Sequence, residues 1–514
     1  MRLRPLRSVL FLGATLIASS VHAQDDARAL LDRSIHAMGG TSTLQSLEAT
    51  SIAGFRHTHM LEQSERPEGP YIVSYEEWRE HRDLVNRRLD RTARAQSIVM
   101  PPGGFEMRTL VQDEVAVMFF GERSAPGGGD AVIEAAESLA LGPERVLLTA
   151  LESGSLRMGP TTEFQGVENQ TVEFEWADRA VRLYLNRHTA LPTAVEWTQD
   201  YPYGMWASWG DVRTRVEYSL WHLETGGLMY PRQWSESRNE MPYRDTTILE
   251  FDANPGAGEA FVVSDALREG FTARKASAPD AAKLGGDFRG TVHEPVELAP
   301  GVLQIQGMWN VGVVETDEGI VVLETPLSPS YAAQVLDWID NEFNGVPIVT
   351  AISTSDAWPH HAGVREFVAA GVPVAAFEQT IPLLERFVGA PRTMRPDRLA
   401  GAPLAANFQA VSERTEIGSG NNRMLVAPIH GEGGERMLAV YFPAHRLLYA
   451  SDLIQRSGPD ADFFMPSYLA EIEALVEREG FDVQTVFAMH LPPTPWSEIT
   501  ATLARIRAES INPS

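Results

Sequence analysis

The 514-residue chain contains no cysteine. This absence excludes disulfide bonds, thiolate catalysis, iron–sulfur ligation and a lipidated N-terminal cysteine. The chain also lacks an excess of basic residues, because its net charge at pH 7 is −26. Such acidity disfavours nucleic acid and anionic membrane surfaces as partners. Beyond the N-terminal segment there is no long apolar run, so we expect no stable membrane span.

Residues 1–23 have the pattern of a secretory signal peptide. Three arginines open the segment, residues 9–18 form a short apolar core, and residues 21–23 (V-H-A) resemble a cleavage site. The apolar core is too short to span a bilayer. Cleavage after residue 23 would leave a mature chain that begins at Gln24, and an uncleaved amphipathic anchor is the alternative. An exported chain without cysteine is typical of the periplasm or of secretion.

The length of the chain predicts two domains rather than one. Residues 273–290 are largely small and polar and show no hydrophobic period, so we predict a linker there. The domain before it, residues 24–272, opens with a helical period that Gly39 and Gly40 end, and strand-like segments follow. The domain after it, residues 291–514, alternates strands with helices. The predicted strands of the first domain are 170–176, 181–186, 194–198, 213–220 and 246–251.

Short motifs occur in order along the first domain: A-M-G-G at 37–40, L-P-T-x-V-E at 191–196 and G-G-L-x-Y-P at 226–231. Together they resemble the lipoprotein-carrier-like half-barrels of exported bacterial proteins. The resemblance implies a β-rich α+β half-barrel with a concave apolar cup, whose partner would be an apolar or aromatic small molecule. A set of aromatic residues fits such a cup, although the same rings could instead fill the core or cap a sheet edge. These residues are Trp197, Tyr201, Tyr203, Trp206 and Trp209.

The second domain contains the segment T-S-D-A-W-P-H-H-A-G at residues 354–363. It resembles the metal-binding loop of the metallo-β-lactamase superfamily, whose pattern is T-H-x-H-x-D-H-x-G-G. Three positions match, namely Thr354, His360 and Gly363. The positions of two histidine ligands and of the aspartate ligand are taken by Ser355, Ala357 and Pro359. None of these three side chains ligates zinc strongly, and alanine and proline offer no side-chain donor at all.

The resemblance continues along the rest of the chain in the order of the superfamily. It implies an α/β fold, a four-layer αββα sandwich preceded by the β-rich α+β half-barrel domain. Two positions differ from the usual motifs, because Glu324 replaces the aspartate of "I-D-T" and Ser451 replaces the glycine of "L-F-x-G-D". The segments that carry the resemblance are 310–314 (N-V-G-V-V), 318–326 (E-G-I-V-V-L-E-T-P), 428–431 (P-I-H-G), 447–452 (L-L-Y-A-S-D) and 487–490 (F-A-M-H).

Members of the superfamily bind two metal ions, and the resemblance implies that this chain keeps ligands for one at most. The first site would keep only His430, whereas the second would keep His360, Asp452 and His490. Two imidazoles and a carboxylate can hold a catalytic zinc ion with an open position for water. The implied cofactor is therefore one zinc ion or none. The implied metal ligands are His360, His430, Asp452 and His490.

Two functions remain open at this point. The first is a periplasmic or secreted metallo-hydrolase that acts on an ester, a lactone, an amide or a phosphoester. Its catalytic candidates would be His360, His361, Asp452 and His490, with Asp356 and Glu432 as spare donors. The second is a non-catalytic periplasmic protein that binds a ligand and has lost the metal. Without a metal, His490 oriented by Asp452 could still act as a general base for Ser355 or Ser451.

Export is tested by the start of the mature chain. If residues 1–23 are a signal peptide, export removes them. We expect the protein isolated from an expressing bacterium to begin at Gln24, or within a residue or two of it, by N-terminal sequencing. A chain that keeps Met1 in the cytoplasmic fraction would contradict both the localisation and the redox argument.

Overall fold

The computed structural model describes residues 10–61, 69–96, 104–164, 166–203, 205–256, 261–277, 283–286, 291–307, 309–456 and 461–509. The chain forms two compact units. The first unit consists of Met1–His59, Val73–Gln199 and Val212–Ala273. The second consists of Met60–Ile72, Asp200–Asp211 and Arg274–Ser514.

The predicted signal peptide is only partly covered by the structure. Residues 1–9 lie outside the described residues, and residues 10–23 form the beginning of the first helix. Within the described part of the chain, no helix is long and apolar enough to cross a membrane.

The first unit is rich in strands. Its helices are α1 (Leu10–Ala37), α2 (Thr41–Gln45), α3 (Gly129–Leu141), α4 (Val146–Glu152) and α5 (Asp265–Ser277). Its strands are β1 (Ala49–His59), β2 (Val73–Asp83), β3 (Arg88–Gln96), β4 (Phe105–Gln112), β5 (Val115–Phe120), β6 (Arg123–Pro126), β7 (Arg157–Met158), β8 (Thr162–Phe164), β9 (Val167–Trp176), β10 (Arg179–Asn186), β11 (Pro192–Asp200), β12 (Asp211–Leu223), β13 (Met229–Arg238) and β14 (Met241–Ala253). A 3-10 turn lies at Thr225–Gly227.

These strands form one 14-stranded sheet with the order β6-β5-β4-β3-β2-β1-β14-β13-β12-β11-β10-β9-β7, and β8 pairs with β9 off this path. The five strands predicted from the sequence are found in β9, β10, β11, β12 and β14, and their prediction is confirmed. Helix α1 packs Leu31 and Ile35 into an apolar cluster that also contains Trp78 and Leu183 of the sheet. The helix ends before Gly39, whose φ of 112° is unfavourable for any residue with a Cβ atom.

The structure differs from the predicted domain borders in two respects. Residues 273–277, which we assigned to the linker, are the last residues of α5. Alanine, arginine and lysine are good helix formers, so a small and polar composition does not exclude a helix. In addition, Met60–Ile72 and Asp200–Asp211 belong to the second unit, although the sequence placed both in the first domain. Residues 278–282 and 287–290 of the predicted linker lie outside the described residues.

Aromatic burial explains why Asp200–Asp211 belongs to the second unit. The ring of Trp209 meets Trp206 and Phe387 edge to face, with centroids 4.9 and 6.1 Å away. Both tryptophans are buried, so they fill a core. Trp197 is buried separately, in the core of the first unit. The interpretation of these aromatic residues as core therefore fits the structure, and their interpretation as one cup lining does not.

The second unit alternates strands and helices. Its helices are α6 (Pro329–Glu342), α7 (Trp358–His361), α8 (Val364–Ala369), α9 (Ile381–Gly389), α10 (Arg398–Gly401), α11 (Pro466–Glu479) and α12 (Trp496–Ala508), with 3-10 turns at Met205–Trp209 and Gly420–Asn422. Its strands are β15 (Val296–Ala299), β16 (Val302–Ile305), β17 (Val311–Thr316), β18 (Gly319–Leu323), β19 (Ile348–Ser353), β20 (Val374–Phe377), β21 (Phe408–Val411), β22 (Thr415–Ile417), β23 (Met424–Pro428), β24 (Leu438–Phe442), β25 (Leu447–Tyr449), β26 (Thr485–Ala488) and β27 (Leu491–Pro495).

Two mixed sheets organise the second unit. Strands β15 to β21 form a 7-stranded sheet in chain order, and β22 to β27 form a 6-stranded sheet in chain order. Pairing is parallel from β18 to β21 and between β25 and β26. One apolar cluster draws on both sheets, for example with Val321 and Val440. A second cluster joins the 6-stranded sheet to α11 and α12 through Leu469 and Ile499. The unit is therefore a mixed α/β structure.

Asp211 provides a test of how Asp200–Asp211 is held in the second unit. Its carboxylate accepts hydrogen bonds from Thr393 N at 2.8 Å, from Thr393 Oγ1 at 2.5 Å and from Met394 N at 3.2 Å. We expect Asp211→Ala to lower the free energy of unfolding by about 1–3 kcal/mol, because it leaves these donors without their acceptor. Asp337→Ala, at an exposed position of α6, is the control and should change it by less than about 0.5 kcal/mol. Equal effects of the two substitutions in urea denaturation would contradict the assignment.

Candidate functional site

Three residues that are distant in the sequence come together in the second unit. His360 lies in α7, Asp452 follows β25, and His490 lies in the turn between β26 and β27. One donor atom from each residue lies within 4.8 Å of the other two. Asp452 Oδ1 is 3.0 Å from His490 Nε2 and 3.7 Å from His360 Nε2. Two imidazole nitrogens and one carboxylate oxygen therefore converge.

The parallel pairing of β25 and β26 explains why Asp452 and His490 meet. The carboxyl ends of adjacent parallel strands lie at the same edge of a sheet, which is where ligand sites of α/β proteins form. Asn310 then fixes the turn that carries His490. Its Nδ2 atom donates to the carbonyl oxygens of Ala488 at 3.0 Å and Leu491 at 3.3 Å. The position of His490 is therefore set by backbone contacts on both sides.

Glu324 orients the ring of His360. Glu324 Oε1 lies 3.0 Å from His360 Nδ1, so the other ring nitrogen, Nε2, is directed towards Asp452. The backbone of His360 is fixed as well, because its carbonyl oxygen accepts from Thr325 N at 2.9 Å and from Thr325 Oγ1 at 3.2 Å. A carboxylate on one imidazole nitrogen is the usual partner of a metal-binding histidine, since it selects the nitrogen that ligates.

Glu324 is itself completely buried and is surrounded by donors. Thr354 N donates to Oε2 at 3.1 Å, Tyr449 Oη donates to Oε1 at 2.7 Å, and Thr354 Oγ1 also donates to Oε1. Burial raises the pKa of Tyr449 well above its usual value, so the hydroxyl keeps the proton that it donates. An ionised carboxylate in the interior requires such donors, because burying an unpaired charge is costly.

The electrostatics of the cluster favour its charged forms. Burial alone lowers the pKa of His360, but the carboxylates of Glu324 and Asp452 outweigh burial and raise the pKa of His360 to about 10. Burial alone raises the pKa of Asp452, but His490 and His360 outweigh it and hold this pKa well below its ordinary value. In the metal-free protein at neutral pH, His360 is therefore protonated and Asp452 is ionised.

The cluster opens to solvent on one side. The side chain of His360 is 0% exposed, whereas those of Asp452 and His490 are 19% and 25% exposed. Beside the opening, Trp309 lies edge-on to His490 and to Trp358, with ring centroids 6.4 and 5.7 Å apart. Both tryptophans are half-buried. A molecule that reaches Asp452 and His490 therefore meets apolar aromatic surface next to charged groups.

Other sequence-predicted donors do not join the cluster. His430 and Glu432 are exposed. Asp356 is buried, and its backbone carbonyl oxygen lies 2.9 Å from His361 Nε2. The ring of His361 stacks on Phe387 with centroids 4.7 Å apart, and burial lowers the pKa of His361 to about 3. His361 is therefore neutral and packed among apolar groups, unlike the three converging residues.

The loop after β23 explains why His430 stands apart. Gly433 N and Gly434 N donate to the carboxylate of Glu471 in α11, at 3.0 and 2.8 Å. This carboxylate anchors the loop on the helix and leaves His430 exposed. The structure thus does not place His430 with His360, as the resemblance had implied.

The two serines considered as nucleophiles make hydrogen bonds with loop residues. Ser355 is buried, and its Oγ accepts a hydrogen bond from Ala357 N at 3.1 Å. Ser451 is buried as well, with its Oγ 2.8 Å from Thr354 Oγ1 and 3.2 Å from the Thr354 carbonyl oxygen. Both hydroxyls stabilise loops, and among the described residues neither is hydrogen-bonded to His490.

The converging residues fit a zinc ion. Two imidazoles and a carboxylate are a ligand set that zinc commonly uses. Both ring nitrogens of His360 are buried. Nδ1 lies 3.0 Å from Glu324 Oε1, whereas the contact of Nε2 with Asp452 Oδ1, at 3.7 Å, is too long for a hydrogen bond, so Nε2 has no hydrogen-bond partner among the described residues. A buried polar atom without such a partner requires an explanation, and an ion bound at Nε2 supplies one.

Two positioning residues were missed by the sequence reasoning. The sequence identified Glu324 only as a replacement of the usual aspartate. Its position directly after the strand β18 was the signal that could have indicated a role at the site. Asn310 was included in the motif 310–314 without a role, and no pattern in the sequence pairs it with the turn that carries His490.

Comparisons with known proteins give few relatives in sequence. No family model matches the chain. A curated relative, the 2,4-dinitroanisole O-demethylase subunit alpha of a Nocardioides species, is 26% identical over 177 residues. This match covers 33% of the present chain and 49% of the relative, so it spans about half the length of that protein.

Solved structures give a likeness in fold. One is a metallo-β-lactamase from Pontibacter korlensis, with 19% identity, a TM-score of 0.32 and coverage of 42% of this chain and 99% of that one. Another is a stereoselective inverting sec-alkylsulfatase from a Pseudomonas species, with 17% identity, a TM-score of 0.33 and coverage of 42% and 41%. These are metallo-β-lactamase-fold proteins.

The contact between Glu324 and His360 gives a direct test of the site. We expect Glu324→Gln to weaken zinc affinity about 10–100-fold, because the amide is a poorer acceptor for the His360 Nδ1 proton. Glu342→Gln, at an exposed position of α6, is the matched control and should leave the affinity unchanged. The measurement is competition for zinc with a chromophoric chelator, on variants whose circular dichroism is native. Equal affinities of the two variants would show that Glu324 does not orient a zinc ligand.

Proposed function

We propose that the protein is a hydrolase that holds one zinc ion with His360, Asp452 and His490. The observation that carries the proposal is the convergence of these donors while Glu324 occupies the opposite nitrogen of His360. A hydrogen-bonded structural cluster would not need a buried carboxylate to direct the ring. The metallo-β-lactamase-like fold of the solved neighbours is compatible with this activity, and we extend the proposal to the four-layer sandwich over residues 291–514.

Each residue has a distinct part in the proposed site. A zinc ion held there would supply Lewis acidity, which acidifies water and polarises a carbonyl or phosphoryl oxygen. Glu324 holds the proton of His360 at Nδ1, and Gln455 holds Asp452 through a contact of 2.8 Å from Nε2 to Oδ1. His490 is the most exposed of the three ligands, so the substrate approaches from its side.

The aromatic surface beside His490 narrows the substrate class. Trp309 and Trp358 favour an apolar or aromatic group next to the bond that is cleaved. The curated relative is named for an aromatic methyl ether, which is compatible with such a group. We therefore propose small apolar or aromatic esters, lactones, amides or phosphoesters as substrates. We also propose that the protein is exported and that it hydrolyses them in the periplasm or the medium.

A metal-free protein is the competing proposal. His490 and Asp452 are 3.0 Å apart, which is the distance of a histidine oriented by a carboxylate for general-base catalysis. The burial of Ser355 and Ser451 leaves water as the nucleophile for such a base. A non-catalytic ligand-binding protein would keep the same cleft without either chemistry.

Metal analysis separates these proposals. We expect protein purified without chelator, or reloaded with zinc, to contain about one zinc ion per chain. His490→Ala and Asp452→Asn should each lower the occupancy sharply, because each removes one of three ligands. His430→Ala is the control, since it removes a histidine that lies outside the cluster, and its zinc content should equal that of the wild type.

Hydrolysis of 4-nitrophenyl acetate and a 4-nitrophenyl phosphoester is then followed with and without chelator. Activity that chelator abolishes and zinc restores supports the proposed hydrolase. Activity that persists in chelator but is lost in His490→Ala would establish the metal-free base instead. Absence of both zinc and activity would contradict the zinc hydrolase and the metal-free base, and would favour the non-catalytic ligand-binding protein.

A further inference from the structure

A cavity inside the first unit is lined by many charged side chains. It has a volume of about 90 Å³, whereas one water needs about 10–15 Å³. The lining contains more cationic than anionic groups, because five arginines face three glutamates. The arginines are Arg56, Arg82, Arg91, Arg238 and Arg244. This lining differs from the apolar cup that the half-barrel resemblance implied.

Two of these arginines are well compensated by nearby carboxylates. Arg82 lies 2.7 Å from Glu80 and 3.0 Å from Glu144, and both glutamates are fully buried with it. Arg238 lies 3.1 Å from Glu236 and 3.2 Å from a carboxylate of α3. These pairs form part of the wall and are already neutralised.

The carboxylates nearest to Arg56 and Arg244 are further away than those of Arg82 and Arg238. The carboxylate nearest to Arg56 among the described residues is Glu76, at 3.7 Å, and that nearest to Arg244 is Glu236, at 3.5 Å. Charge-assisted hydrogen bonds normally measure about 2.7–2.9 Å. Arg244 also donates to Tyr243 Oη at 2.9 Å, but its Nε atom is buried and has no hydrogen-bond partner in the described part of the chain.

The sheet register places these two guanidinium groups on one face. Arg56 of β1 is paired with Thr246 of β14, and Arg244 is two residues from Thr246, so its side chain points to the same side. Burial lowers the pKa of Arg56 to about 9, and the neighbouring cations Arg244 and Arg91 lower it further than Glu76 restores it. Like charges therefore crowd around Arg56. Burial alone also lowers the pKa of Arg244, but Tyr243 and the carboxylates of Glu236, Glu134 and Glu76 outweigh burial and hold this pKa above its ordinary value.

We propose that this cavity binds the oxyanion group of a small organic molecule, a carboxylate, sulfate or phosphate, between Arg56 and Arg244. Guanidinium groups offer forked donors that match such oxyanions. The walls beside the arginines include Trp234 and Tyr218, which would contact an apolar or aromatic body attached to the anion. Trp78, whose ring centroid lies 4.2 Å from the guanidinium of Arg56, is outside the cavity lining.

Calorimetric titration of the full chain tests the proposal. The probes are inorganic phosphate, sulfate, acetate and benzoate, at an ionic strength held constant with chloride. Phosphate and sulfate probe a free ion, whereas acetate and benzoate probe an organic acid without and with an aromatic body. We expect saturable binding, with benzoate tighter than acetate. Arg56→Gln and Arg244→Gln should each weaken it about 10–100-fold, as for loss of a charge-assisted hydrogen bond.

Arg215→Gln is the matched control. Arg215 belongs to the same unit and lies outside the cavity lining, and its Nε and Nη2 atoms contact Glu196 at 2.9 and 2.6 Å. Its replacement should leave anion binding unchanged. If the glutamine variants do not fold, Arg56→Lys keeps the charge without the fork and should still weaken binding.

Several outcomes would overturn the proposal. The wild type could fail to bind all four probes saturably, or it could bind them with the affinity of the Arg56→Gln and Arg244→Gln variants. If Arg215→Gln weakens anion binding as much as the cavity variants do, the binding depends on general surface charge and the proposal is wrong. Binding by Arg56→Lys equal to that of the wild type would exclude the guanidinium fork.

Discussion

The completely buried carboxylate of Glu324 is the constraint on which the candidate site depends. A charge in the interior is stable only when donors surround it, and here they come from three separate segments of the chain. Thr354 follows β19, Tyr449 ends β25, and His360 lies in α7. The hydrogen bonds to this one carboxylate therefore fix the end of β19 in the 7-stranded sheet and the end of β25 in the 6-stranded sheet. They also fix the ring of His360, which faces Asp452.

Local backbone strain accompanies this arrangement. Glu324 has a φ of 84° and Ser451 a φ of 53°, values that residues with a Cβ atom adopt at a cost of about 1–3 kcal/mol. The usual motif of the superfamily resembled here has glycine at the position of Ser451, which a left-handed backbone explains. Ser451 remains because its hydroxyl contacts Thr354, the residue that donates to Glu324. Strain at both positions is thus tied to the same hydrogen-bond network.

The loss of three motif ligands has a structural counterpart. Ser355, Ala357 and Pro359 are all buried. Ser355 holds the backbone N–H of Ala357, and Pro359 lies in the first turn of α7. These three positions therefore offer no strong zinc donor, and their side chains are packed into the loop and the start of α7. Asp452 and His490, at the strand ends, escape this change because β25, β26 and Asn310 set their positions.

Much of the fold follows from local sequence patterns, whereas contacts between distant segments do not. Five of the fourteen strands of the first unit and the helices α6, α11 and α12 follow from local patterns in the sequence. The resemblance to a known family grouped His360, Asp452 and His490, which the structure brings together. The membership of Asp200–Asp211 in the second unit depends on packing against Phe387, which no local pattern reveals. The charged cavity was hidden for a similar reason. Arg56 and Arg244 lie 188 residues apart in the chain and meet only through the pairing of β1 with β14.

The most direct measurement of the central claim is X-ray absorption spectroscopy of the zinc-loaded protein. The account predicts one zinc ion with about two imidazole nitrogens at about 2.0–2.1 Å, oxygen atoms in the remaining positions and no second metal nearby. Replacement of His490 by alanine should reduce the imidazole number by one. A metal–metal vector at about 3.5–4 Å would contradict a single-ion site. A spectrum without imidazole ligands would contradict the assignment of His360 and His490 altogether.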